Sequence, residues 1–347
     1  MLWPRCLGMP KGVLALLAAC TLVQLASSAC VPGTFRNSTG HCFNCTAGSF
    51  SGLVDSTACT LCDPGYFSLE AASECTACGA GRHQSAANSS SCANCTAGYY
   101  SSSSGESHCD GCAPGYFSDG ATATTCSPCS SGTFQNTSNA SACFNCTAGW
   151  FASSSGESTC VTCGLGQFAP NSAASACLDC PAGAISNAVG ASECTNCTAG
   201  TYSSTSGESE CASCQPGQFA ANEAASHCVP CDAGDFQNVS ESSGCAQCSA
   251  GWFSRWPGAS QCHVCVVGTY SAGDGATKCE FCAAGQIQNI SGASGCFDCV
   301  EGTFSGTSGE SSCIPCSVGR FGNTSGTSDC SDCAKGHFQG SEGSTVC

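Results

Sequence analysis

Eighteen Cys-x-x-Cys steps carry whatever chemistry this chain can do, from Cys42-Phe43-Asn44-Cys45 to Cys330-Ser331-Asp332-Cys333. Three chemistries fit such a step. Two thiolates at this spacing hold zinc, and consecutive steps read C-x2-C-x13-C-x2-C, close to a zinc ribbon. A Cys-x-x-Cys pair at a helix start exchanges disulfides. Otherwise each cysteine is half of a structural bridge.

The count separates them. Zinc sites of four would use 36 cysteines and strand Cys30 and Cys347. Pairing each opening cysteine with the next one strands none: Cys30 with Cys42, Cys45 with Cys59, Cys62 with Cys75, Cys78 with Cys92, Cys95 with Cys109, Cys112 with Cys126, and so on to Cys333 with Cys347. Interleaved pairing across adjacent repeats uses the same cysteines, and spacing alone does not choose between the two. A mature chain that starts on an opener and finishes on a closer favours the ladder. Redox chemistry lacks its context, because no βαβ pattern surrounds any step.

The elements that must position these cysteines are 19 tandem repeats, usually stepping by 17 residues. Every repeat has glycine three residues after its opener, from Gly33 to Gly336. Glycine without exception predicts a positive φ or a close approach, here to the disulfide. Sixteen of 19 repeats place Phe or Tyr two residues later; His83, Ile185 and Ile287 are the exceptions. That aromatic is the only large apolar side chain most repeats possess. No stretch after the leader has the 3.6-residue apolar period of a helix.

A longer period lies on top. CTAGYYSSSSGESHC at Cys95 returns at Cys146, Cys197 and Cys299, so three repeats form a cassette of 51 residues. The third repeat of the cassette tends to read F-Q-N-x-S, as at Gln135-Asn136 and Gln237-Asn238.

Residues 1–29 read as a secretory signal peptide: Arg5 and Lys11, an apolar run from Val13 to Leu25, then Ala26-Ser27-Ser28-Ala29. The apolar run is too short to span a bilayer. Cleavage after Ala29 leaves residues 30–347 and 38 cysteines, every one an opener or a closer. Cysteine this dense in an exported chain implies a disulfide framework, secreted or at the cell surface.

The formal net charge is −16, with 24 acidic against 8 basic residues. That balance argues against a nucleic-acid partner and for solubility. No G-x-S-x-G, H-E-x-x-H, P-loop or EF-hand motif is present, so neither an enzymatic role nor a cofactor is expected. Histidines such as His41, His108 and His227 recur in no common register and read as loop positions.

Asn-x-Ser/Thr sequons stand at Asn37, Asn88, Asn136, Asn139, Asn238, Asn289 and Asn323. Asn136, Asn238 and Asn289 recur at one repeat position and are expected to carry glycan on an exposed edge. At Asn44, Asn94, Asn145 and Asn196 the middle residue of the sequon is an opening cysteine, so bridge formation competes with glycan transfer.

The motif C-x2-C-x2-G-x-[FY]-x(n)-C resembles the ephrin-receptor-like repeat of the growth-factor-receptor and tumour-necrosis-factor-receptor cysteine-rich group. Cys62-Asp63-Pro64-Gly65-Tyr66-Phe67 and Cys112-Ala113-Pro114-Gly115-Tyr116-Phe117 match it best. The resemblance implies a small disulfide-rich fold: a linear array of 19 short disulfide-closed loops with minimal β-hairpins, forming an elongated rod. Each repeat should touch only its immediate neighbours. Such repeats serve in receptor stalks, adhesion proteins and large surface proteins. No ephrin-binding domain or kinase stands among these residues, so receptor signalling is not carried over.

Two functions follow. One is an extracellular structural or adhesive spacer. The other is a receptor or decoy ectodomain that engages an extracellular protein or glycan. One stretch departs from the consensus enough to serve the second, and Trp252, Arg255 and Trp256 are its candidate contacts. The blander alternative is that Trp252 packs as Trp150 does and Trp256 is loop drift.

Overall fold

The computed structural model describes residues 29–347; the expected signal peptide, all but Ala29, lies outside them. The chain forms two compact bodies. The first holds the described residues up to Cys129 with Gln135–Phe144 and Gly156–Ser158; the second holds Ser130–Phe134, Asn145–Ser155 and Thr159–Cys347. The same repeat builds both.

Within the first body, the repeat opening at Cys95 shows the plan. Cys95 bridges to Cys109, closing a loop with the Cα atoms 5.8 Å apart. Tyr99–Tyr100 pairs antiparallel with Asp110–Gly111, in register Tyr99↔Gly111 and Tyr100↔Asp110. The second strand is thus the two spacer residues of the Cys-x-x-Cys step. The repeat opening at Cys197 does the same in the second body, with Thr201–Tyr202 against Ala212–Ser213. Each hairpin is tied off when the next opener donates its N–H to the conserved glycine's carbonyl, as Cys112 does to Gly98 at 2.9 Å.

Three further backbone bonds join each repeat to the next. Gly98 N–H donates to Ser118 O at 2.8 Å, Ser101 N–H to Ala123 O at 3.1 Å, and Thr122 N–H to Cys95 O at 3.1 Å. Gly200, Ser203 and Ala224 make the corresponding bonds in the second body. These lateral bonds satisfy backbone groups that two-residue strands would otherwise leave unpaired.

The stacking also reaches one repeat further than neighbour-only contact allows. A β-carbon on Gly98 would lie 2.2 Å from the carbonyl oxygen of Asn139, which belongs to the repeat after next. In the second body a β-carbon on Gly183 would lie 2.2 Å from Ala224 O. The glycine rule therefore has both of its possible causes: φ is +88° at Gly98, and the backbone is crowded. The crowding comes from a carbonyl two repeats on, not from the disulfide.

The core differs from a row of aromatics. Openers from Cys30 to Cys316 are at most 1% exposed, and the small residue just after the aromatic is buried with them, as at Ser101, Ala169 and Ser305. The aromatics are half-buried beside this column. Phe338, whose repeat has no described successor, is 85% exposed, so the following repeat supplies the cover elsewhere.

Candidate functional site

The Cys-x-x-Cys steps hold no dithiol. In Cys109-Asp110-Gly111-Cys112 the first cysteine is bridged to Cys95 and the second to Cys126. The two sulfurs of every described step are committed to different bridges in this way, from Cys30–Cys42 and Cys45–Cys59 to Cys316–Cys330 and Cys333–Cys347. One group of metal-ligand type comes together among the described residues: His83, Cys95 and Cys109. His83 Nδ1 lies 3.1 Å from Cys109 Sγ. Both sulfurs there share one disulfide, so neither is the thiolate that metal ligation requires.

A second left-handed position escaped the sequence reading. From the second described repeat onward, one residue near the tip of each loop has positive φ, and its N–H reaches the carbonyl of the previous repeat's opener. Glycine occupies many of these sites, Gly105 and Gly207 among them, but eight hold other residues: Asp55, Ala71, Asn88, Thr122, Asn139, Ala173, Ala224 and Glu241. The glycine of S-S-S-G-E-S was the available signal. Its non-glycine equivalents hid it.

The cassette's third repeat has a physical basis as well. Gln135 is 2% exposed and staples its own loop. Its Nε2 donates to Ala142 O at 2.7 Å, and its Oε1 accepts Thr137 N–H at 3.0 Å. Gln237 and Gln288 make equivalent bonds. Serine in the other cassette positions instead reaches two residues on, as Ser203 Oγ does to Thr205 O at 3.1 Å.

The sequon residues Asn136, Asn238 and Asn289 follow that glutamine and are exposed, as are Asn88, Asn139 and Asn323; Asn37 is half-buried. The Asn37 carboxamide accepts from the Thr39 and His41 N–H groups at 3.0 and 2.9 Å. The Asn139 carboxamide lies against Gly111, where a β-carbon would come within 1.6 Å of its Oδ1.

Trp252 and Trp256 belong to different hollows. Trp252 sits on the hairpin at 42% exposure, as Trp150 does at 41%. Its indole lies near Gly292 as that of Trp150 lies near Gly190, and with Phe236 it lines a hollow of about 260 Å³. Trp256 is on the loop, 72% exposed. There it joins Arg255, Phe253 and His263 around a cavity of about 570 Å³.

Charges pair mainly at two places. Arg36 pairs with Asp55. Arg320 holds Asp329 at 2.8 Å and Asp332 at 3.0 Å. The Arg36 guanidinium, aided by the Cys30 N–H, keeps the Asp55 carboxyl below the usual carboxylate range. Arg320 does the same for Asp329.

Among the described residues no helix is long and apolar enough to cross a membrane. No curated protein matches the chain. The family model described as tyrosine-protein kinase ephrin type A/B receptor-like matches residues 115–156, 149–192, 217–261 and 251–299. Those four matches fall on repeats that share their bridges, hairpins and lateral bonds with the rest of the described chain. The chain is an extracellular cysteine-rich repeat protein whose matched repeats are of the ephrin-receptor-like type.

Proposed function

We propose that this protein is an extracellular spacer, holding distance at or near a cell surface and displaying glycan along its length. The observation that carries the reading is uniformity: from Cys45 onward each described repeat spends its cysteines and its opener's N–H on the same intra-chain bonds. A protein whose product is length needs identical increments, and repeat arrays supply them with stability summed over neighbours. The reading is non-enzymatic. Exposure of Asn136, Asn238 and Asn289 supports glycan attachment there.

A second reading, a ligand-binding ectodomain, is favoured by one feature, the Arg255-Trp256 loop. Cassette deletion separates the two. Removing residues 146–196 or residues 231–281 takes out the same length, but only the second removes that loop. A spacer predicts that both shortened chains are secreted fully bridged and alter surface attachment equally. Loss of attachment from the second deletion alone would reject the spacer in favour of the ectodomain.

A further inference from the structure

Two described repeats show a concavity inside the loop at the same positions. In the repeat opening at Cys214, residues from Phe219 to Val229 enclose about 340 Å³. In the repeat opening at Cys248 the same positions enclose about 570 Å³. Ala221 is replaced by Arg255, Asn222 by Trp256, Glu223 by Pro257 and Val229 by His263. Both hollows hold one imidazole, His227 in the first and His263 in the second, but the second is larger, loses the carboxylate of Glu223 and gains an indole and a guanidinium.

The hollow is rigidly framed. Ser254 N–H donates to Ala276 O at 3.0 Å, Gly258 N–H to Cys231 O at 2.8 Å, and Ala259 O accepts from Gln237 N–H at 3.1 Å. Ser254 Oγ holds Trp256 O at 3.3 Å. The Phe253 and His263 rings meet at 5.8 Å across its floor. Arg255 is exposed and has no carboxylate partner among the described residues, whereas Arg36 and Arg320 do. Among the described residues no ion pair or hydrogen bond engages the guanidinium, and Trp256 is 72% exposed.

We propose that this loop binds a single carboxylated pyranose: a uronic acid or a sialic-acid-type terminal sugar. An exposed indole face stacks on the C–H face of a sugar ring. A guanidinium takes a carboxylate through two parallel hydrogen bonds. The volume is within the range of small-ligand pockets and is bounded by one loop, which suits one ring better than an extended peptide. The acidic balance of the chain disfavours an acidic protein surface, while a lone carboxylate needs only Arg255.

The inference rests on the ligand-binding reading of this loop and is independent of the spacer reading. The test uses the secreted full array and sugar-proton saturation transfer by NMR. Methyl β-glucuronide and the methyl glycoside of N-acetylneuraminic acid should bind with a dissociation constant on the order of 1 mM. Their relative strength tells the matrix-uronate source from the glycoprotein source. Methyl β-glucoside, lacking the carboxylate, should bind at least about tenfold more weakly.

Arg255→Gln and Trp256→Ala should each abolish the signal, with the disulfide count by intact mass confirming the fold. In a chain carrying both substitutions, placing Ala221→Arg and Asn222→Trp in the hollow of the Cys214 repeat should restore it. Equal binding of glucoside and glucuronide, or binding that survives Arg255→Gln, overturns the proposal. If neither sugar binds but a protein partner is lost on Trp256→Ala, the sugar proposal falls while the ectodomain reading stands. If nothing binds through this loop, both fall.

Discussion

Asp55 clasps Cys30 by both of its backbone hydrogen-bonding groups. Its carboxylate accepts the Cys30 N–H at 2.9 Å, and its own N–H donates to the Cys30 carbonyl at 2.9 Å. The second bond is the ordinary one between a loop tip and the preceding opener. The first is not. From Cys45 onward each opener gives its N–H to the glycine carbonyl of the repeat before it, as Cys45 does to Gly33 at 2.9 Å. Among the described residues no repeat precedes Cys30, and a side chain accepts its N–H instead. Asp55 thus caps the first described repeat, as the atypical element at the edge of a stacked array does.

The cap should be acid-sensitive. Asp55 has its folded pKa depressed, first by Arg36 and then by the Cys30 N–H. Its contribution is therefore present above the unfolded carboxylate value near pH 4 and is lost as pH falls through the lower folded value. Hydrogen exchange at Cys30, corrected for intrinsic rates, should accelerate over that acid window in the wild type. Asn tolerates the left-handed backbone at φ 58°. Asp55→Asn should therefore leave Cys30 less protected at neutral pH and free of the acid-side change. An unchanged pH profile in Asp55→Asn would count against the cap.

Gly98 and Gly319 separate the two demands on the conserved glycine. Both have positive φ, +88° and +87°, but a β-carbon meets Asn139 O at 2.2 Å in the first and nothing within 4 Å in the second. Gly319→Ala should cost only the left-handed penalty, about 1–2 kcal/mol. Gly98→Ala should cost clearly more, because backbone must move. Local opening free energies from hydrogen exchange at the donor amides of residues 98 and 319 would show the difference. Equal costs would mean that the contact two repeats on is unimportant.

Thr122 is the β-branched residue among the loop-tip positions and holds φ at 67°. Replacing it with glycine relieves about 1–2 kcal/mol of left-handed strain, against about 0.5–1 kcal/mol of added unfolded-state entropy. Thr122→Gly should therefore tighten the lateral bond to Cys95, seen as slower exchange at residue 122. Faster exchange would show that the methyl and hydroxyl groups make a compensating contact.

The sequence showed the repeat, its bridges and the need for glycine, because each of these is a residue type at a fixed interval. Which backbone crowds Gly98 was not readable, since Asn139 lies two repeats away and contributes only a carbonyl. The loop-tip turn was masked by eight non-glycine residues. The recurrence of Gln135, Gln237 and Gln288 was visible but looked like part of a sequon, when the glutamine itself is the staple. Trp252 and Trp256 looked like one patch because they are close in sequence. A strand and a loop of one hairpin send them to separate hollows.

The central claim is that neighbour-closed bridges set the length, and pulling the chain by its ends tests it. Load entering a repeat crosses the disulfide and then the two spacer residues, bypassing the loop. With Cα atoms about 5.7 Å apart across a bridge such as Cys112–Cys126, each repeat should extend to about 16 Å and no further. After reduction, a 17-residue repeat should reach about 58 Å. Single-molecule force–extension curves with and without reductant should show these two contour lengths. An oxidised chain that extends well beyond about 16 Å per repeat would contradict the ladder and the spacer built on it.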